Sequence, residues 1–170
     1  MKAQPDAQPG RRYEGMVTGR TLSSPAPPRP TVLVVEDEEA VRELIAIVLD
    51  KEDLNVVLAE SAEEALTKAA TLEKGIDILL TDLKLPSMDG YSLAKVLASR
   101  GQLGHVIYMS GLLQTSADGA GNNCRYLPKP FNMETLARLV RDVLGDETMT
   151  PHIPEQPPII FSGETPSELG

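Results

Sequence analysis

Cysteine is nearly missing from this chain. Cys124 stands alone, which rules out an internal disulfide and a thiolate cluster for a metal, and fits a reducing compartment. It reads as a small buried residue. Histidine is almost as scarce: His105 opens an apolar run and His152 falls in a proline-rich stretch, so both read as structural rather than as ligands. The N-terminus Met1-Lys2-Ala3-Gln4-Pro5 lacks the apolar core of a signal peptide, and no apolar run approaches the length that spans a bilayer. A cytosolic protein with no membrane partner is expected. Clustered basic charge is missing too. A net charge of -9 argues against nucleic-acid binding, since phosphate contacts require grouped Lys and Arg.

What is present is unevenly spread. Five bases against two acids make residues 1–30 a segment of net +3, and four glutamates with no base make 147–170 net -4; from the total of -9 this leaves -8 on 31–146. Eleven of the 14 prolines lie outside 31–146. Both ends read as disordered tails, 1–30 basic and proline-containing, 147–170 acidic and proline-rich. With 41% apolar and 24% charged residues, the 170-residue chain fits one soluble domain with a real core.

The middle alternates between two periods. Thr31-Val32-Leu33-Val34-Val35 is a continuous apolar strand, and Val41, Leu44, Ile45 and Val48 then recur at helical spacing. Asn55–Ala59 is a second strand, followed by a helix that opens on a Ser61/Glu64 capping box and carries Ala62, Ala65, Leu66 and Ala69 on one side. Ile76–Thr81 is a third strand that stops at Asp82, with a helix through Leu93, Ala94, Val96 and Leu97 after it. His105–Met109 and the short Arg125–Leu127 are the last strands, and Asn132 caps a helix bearing Leu136, Leu139, Val140 and Val143. Strands apolar on both faces and alternating with helices predict an α/β, doubly wound parallel sheet of five strands, covered on both sides. The segment 112–123, with two glycines and two asparagines, predicts a short or frayed fourth helix.

In such a sheet, ligands bind beyond the carboxyl ends of the strands. The polar residues gather there: Glu36 and Asp37 after the first strand, Asp82 after the third, Ser110 after the fourth, and Lys129 beyond Pro128 after the fifth. A carboxylate such as Asp82, ending an apolar strand, needs either a partner, as in a helix cap or ion pair, or a chemical task. With the strand order 2-1-3-4-5, the first and third strands adjoin and three carboxylates share one pocket. Like charges so close raise one another's pKa unless a counter-charge is present. Hard oxygen ligands without imidazole or thiolate select Mg²⁺, or Mn²⁺, over zinc.

Val34-Val35-Glu36-Asp37-Glu38, Thr81-Asp82 with Pro86 and Asp89-Gly90, Met109-Ser110-Gly111 and Lys129-Pro130-Phe131 together resemble the receiver (phospho-acceptor) domain of bacterial two-component response regulators. The resemblance covers about residues 31–145 and rests on all four motifs occurring in order. It implies a flavodoxin-like fold in which Asp82 is the nucleophile that takes a phosphoryl group from a cognate histidine kinase or histidine phosphotransfer protein. It further implies that Asp37 and Asp82 bind Mg²⁺ with the backbone carbonyl of Lys84, and that Glu36 acts through water or at longer reach. Lys129 would pair with phosphoryl oxygens, Ser110 would donate a hydrogen bond to one of them, and Tyr126 matches an aromatic that swings inward in response. Asp89 reads as a helix cap.

Several positions depart from the family pattern. Glu36 stands where aspartate is common, Lys84 places a cation two residues past the acceptor, and Pro128 removes a backbone donor from the fifth strand. The weak fourth helix bears on the usual output face. Residues 147–170 are too few and too proline-rich for a DNA-binding module, so the expectation is a receiver without an attached output domain or separate substrate turnover, contacting a downstream protein of unknown identity. It would be either free-standing or akin to the receivers of hybrid kinases. One rival is a Mg²⁺-dependent phosphohydrolase of the haloacid-dehalogenase type, which needs an aspartate where Lys84 stands; another is a phosphorylation-independent binding module on the same fold.

Overall fold

A computed structural model describes residues 28–111, 124–146 and 153. Within these, five strands alternate with four helices: β1 Thr31–Val35, α1 Glu39–Leu49, β2 Asn55–Ala59, α2 Ala62–Ala69, β3 Ile76–Asp82, α3 Gly90–Ser99, β4 Leu103–Ser110, β5 Cys124–Pro128 and α4 Met133–Leu144. All strand pairs are parallel and the order is β2-β1-β3-β4-β5, as expected for the doubly wound α/β class. The expected fourth helix, the fate of residues 1–27, nearly all of 147–170, and the Cys124 side chain lie outside the described residues.

Side chains alternate between two cores, because successive strand residues point to opposite faces. Val32, Val34, Ile78, Leu80, Ile107, Met109 and Leu127 face one side, where Ile45, Val48 and Leu49 of α1 and Leu136, Val140 and Val143 of α4 cover them. Leu33, Val35, Leu79, Val106 and Tyr108 face the other, under Ala62, Ala65 and Ala69 of α2 and Leu93, Ala94 and Leu97 of α3. The alanine face of α2 lets that helix lie close to the sheet, while Leu66 packs only at the edge of the cluster. On α1 the buried stripe is turned slightly from the sequence expectation. Leu49 is fully buried, whereas Leu44 is only half-buried and Ile47 faces solvent.

Local chemistry sets the helix starts. Ser61 accepts from the Glu64 amide at 3.2 Å, as a capping box requires, but the Glu64 carboxylate reaches back to the amide of Glu60, one residue before the cap. Asp89 and Asn132 accept from the amides of Ser92 and Thr135, each at 2.7 Å, satisfying N–H groups that have no partner inside the helix. Asp89 is thus a cap, as its position suggested. Strand β4 is longer than the apolar pattern implied, beginning at Leu103 rather than His105, because Leu103 pairs with Ile76 of β3. Gly104 permits this: a Cβ there would meet the Asp77 carbonyl oxygen at 2.6 Å.

Gly90 sets how closely α3 approaches the end of β3. A Cβ at this position would stand 2.1 Å from the Asp82 carbonyl oxygen and 2.7 Å from Thr81 Oγ1. Gly90→Ala is therefore expected to lose about 1–3 kcal/mol, the usual cost of overpacking, in urea denaturation. An unchanged midpoint would show that the start of α3 can move freely from the strand end.

Candidate functional site

The carboxyl ends of β1, β3, β4 and β5 come together at one edge of the sheet, because β1 and β3 are neighbours and β4 and β5 continue outward from them. Glu36, Asp37 and Asp82 each place a carboxylate oxygen within 4.8 Å of the others. Glu36 is buried, Asp82 half-buried and Asp37 exposed at the mouth. Lys129, on the loop after β5, donates from Nζ to Asp82 Oδ2 at 2.5 Å and to Glu36 Oε2 at 2.6 Å. The Lys129–Pro130 peptide is cis.

Burial dominates the electrostatics of Glu36 and pushes its carboxyl above the ordinary value of 4.5; Lys129 pulls it back in part, and the Asp82 charge adds to the rise. Burial likewise draws the Lys129 ammonium down. Hydrogen bonds and charge from Asp82 and Glu36 together outweigh that, so its displacement is upward and it stays protonated. One ammonium therefore pairs with two of the three clustered carboxylates. That donor set fits a hard divalent cation, since the site holds excess negative charge and offers oxygen ligands only.

Asp82 is held from two directions. Lys129 takes Oδ2, and the backbone amide of Lys84 donates to Oδ1 at 2.9 Å, which folds the loop after β3 back over the carboxylate. The Leu83 amide, bonded to the Met109 carbonyl, and the Gly90 amide, bonded to the Leu83 carbonyl, anchor the same loop. The Lys84 residue itself is exposed. Ser110 is buried at the end of β4, one residue beyond the partner of Asp82 in the ladder. Its register partner is Pro128, and the Ser110 carbonyl accepts the amide of the next residue, Lys129, at 2.9 Å, as parallel pairing requires.

Tyr126 is half-buried and lies on the α2–α3 side. Its ring stacks on Tyr108 with centroids 5.7 Å apart and planes inclined by 28°. Tyr108 is in register with Thr81 on its other side, and Thr81 Oγ1 donates to the carbonyl of Asp82 at 3.0 Å. A lateral row Thr81–Tyr108–Tyr126 therefore runs across three strands just below the acidic cluster. Thr81 and Tyr108 lie within stretches that the sequence marked, but neither was given a role of its own there. Arg42 was missed as well: from the first turns of α1 its Nη1 donates to the Glu36 carbonyl at 2.7 Å and the Asp37 carbonyl at 3.4 Å. An arginine five and six residues after an acid pair, pointing back along a new helix, was the available signal. His105 does not join the cluster; it sits in β4 opposite Ile78.

A parallel sheet in this order, with an acidic cluster and a lysine at its carboxyl edge, defines the CheY-like class of flavodoxin-like domains. Residues 32–141 match the response regulator receiver domain family, and the chain belongs to it. The chemotaxis response regulator CheY4 of Vibrio cholerae shares the fold at a TM-score of 0.60 and 24% identity, over 68% of this chain and 99% of that one. The receiver domain of the hybrid histidine kinase CckA is 36% identical, with a TM-score of 0.56 over 67% of this chain and 98% of that one. Among curated relatives, the transcriptional regulatory protein AruR of Pseudomonas aeruginosa is 31% identical over 68% of this chain and 49% of its own length. The sensor kinase CckA of Brucella abortus is 34% identical over 67% of this chain and 12% of its own length. The chain thus spans about half the length of the transcriptional regulators that it matches.

A carboxyl whose folded-state pKa is raised binds a proton more readily than the unfolded chain does, so its stabilisation is present at acid pH and is lost as pH rises through that pKa. Metal-free Glu36→Gln should escape this loss. Its stability relative to the unsubstituted protein should rise as pH goes from below 4.5 toward neutrality, read by urea denaturation at a series of pH values. A difference that stays flat across the series would contradict the buried-carboxyl description.

Proposed function

We propose that this receiver domain takes a phosphoryl group from a phosphohistidine, carried by a cognate histidine kinase or histidine phosphotransfer protein, onto Asp82. The observation that carries the reading is Lys129 bridging Asp82 and Glu36 beside the exposed Asp37. In the reaction, an Asp82 carboxylate oxygen forms the new O–P bond while the P–N bond to imidazole breaks; the nitrogen keeps the electron pair and takes up a proton. Lys84 N and Lys129 Nζ each engage one oxygen of Asp82, and a carboxylate has lone pairs to spare for the incoming phosphorus. This fixes the nucleophile before the donor arrives, which is where much of the advantage in phosphoryl transfer lies.

Lys129 stays protonated and faces the charge that develops on the transferring oxygens. The residues suited to hold Mg²⁺, or Mn²⁺, are Asp37 and Asp82 with the Lys84 carbonyl, and Glu36 through water or at longer reach; when bound, the cation supplies positive charge against the phosphoryl oxygens. Ser110 donates its hydroxyl to a phosphoryl oxygen and Tyr126 turns inward behind it. The row from Thr81 to Tyr126 supports that coupling, since a hydrogen bond to the acceptor's own carbonyl, the ladder register of Thr81 with Tyr108 and the Tyr108–Tyr126 stack lie side by side. The aspartyl phosphate then signals to a downstream protein rather than turning over a separate substrate. A cytoplasmic setting and a protein target, rather than nucleic acid, follow from the lone cysteine and the acidic balance. A haloacid-dehalogenase chemistry is less well supported, because Lys84 occupies the position of its second acid.

Incubation with Mg²⁺ and a small phosphodonor should add one base-labile phosphoryl group by intact mass, and none to Asp82→Asn. Equal labelling of the two proteins would overturn the assignment. Separately, Asp37→Ala should bind Mg²⁺ more than about tenfold more weakly by calorimetry, in line with losses seen when metal sites are perturbed. Unchanged affinity would remove Asp37 from the cation site.

A further inference from the structure

Beyond the last helix, Ile153 is half-buried and packs against the cluster on the α2–α3 side of the sheet. Leu144, at the end of α4, packs against the opposite cluster. Two residues nine positions apart therefore belong to opposite faces of one sheet. Nine extended residues reach at most about 30 Å, which is enough to round the end of a five-stranded sheet. We propose that Ile153 anchors the chain's own C-terminal segment in cis on the α2–α3 side, giving that face a built-in occupant.

Two observations favour this occupant over another, and a third shows which force must hold it. The residue is already seated: a free segment rich in proline and glutamate would leave its isoleucine in water, whereas this one shares a core with the sheet. Pro151 and Pro154 flank the anchor, and proline narrows the conformations open to the undocked chain, so less freedom is lost on docking. Charge, in contrast, opposes the contact, since 147–170 carries four glutamates and no base against an acidic domain; apolar burial is then what holds it. The seat matters because Leu85 and Met88, from the loop after Asp82, and Tyr126 lie at the edge of the same cluster.

Methyl-labelled protein tests the proposal by NMR. Contacts from the Ile153 methyls to the α2–α3 cluster should appear within one chain and persist on dilution. Ile153→Asp should abolish them and shift methyl signals on the α2–α3 side while leaving the α1–α4 side in place, which also reports that the domain is folded; Ile153→Leu should retain the contacts. The proposal fails if the unsubstituted protein shows no such contacts, if Ile153→Asp leaves the α2–α3 signals unmoved, or if a mixed-isotope sample shows the contacts only between different chains.

Discussion

The arrangement at the sheet's carboxyl edge depends on one ammonium lying between two carboxylates. Lys129 stands 2.6 Å from a glutamate that is almost wholly buried and 2.5 Å from the aspartate at the end of the central strand. Removing charge from water is costly, and a buried carboxylate persists only with a close partner. Lys129 is that partner, and it arrives from the far edge of the sheet, 93 residues away from Glu36 in the chain. The parallel order is what makes the meeting possible: an exchange of strand positions would leave Glu36 charged in an apolar setting.

Much of this was legible in the sequence, for identifiable reasons. Strands buried on both faces appear as unbroken apolar runs, so β1 and β3 announced themselves, and their terminal acids were marked by the abrupt change from Val35 to Glu36 and from Thr81 to Asp82. Caps were readable because Ser61, Asp89 and Asn132 each bond an amide three residues on, a purely local relation. Less legible were relations that cross the fold. The row formed by Thr81, Tyr108 and Tyr126 exists only once three strands are in register, and the grip of Arg42 on the Glu36 and Asp37 carbonyls requires the turn between β1 and α1. Ile153 is the extreme case: in a proline-rich acidic stretch it looks like a solvated residue, and its burial depends on a surface assembled from distant parts.

The two cores divide the labour of the domain. Alternation along β3 sends Ile78 and Leu80 to the α1–α4 side and Leu79 to the other, which Leu83 joins just past the strand. The clustered acids sit at strand ends that α1 and α3 close, through Arg42 on one side and Gly90 on the other. The aromatic row and the loop residues Leu85 and Met88 belong wholly to the α2–α3 side. Chemistry at the edge is thereby connected to one layer of the molecule more directly than to the other.

The last rung of the sheet gives this connection a particular character. The rung that closes the sheet at β4 and β5 is made by the amide of Lys129, the residue after Pro128, on the Ser110 carbonyl, in the same pattern as the Leu83 amide on the Met109 carbonyl. The position of the ammonium is thus surveyed from the lattice of the sheet rather than from a loop. Fraying of that outermost strand would detune the charge balance around Asp82 in the same motion, so mechanical integrity at the edge and electrostatic poise at the centre are a single degree of freedom.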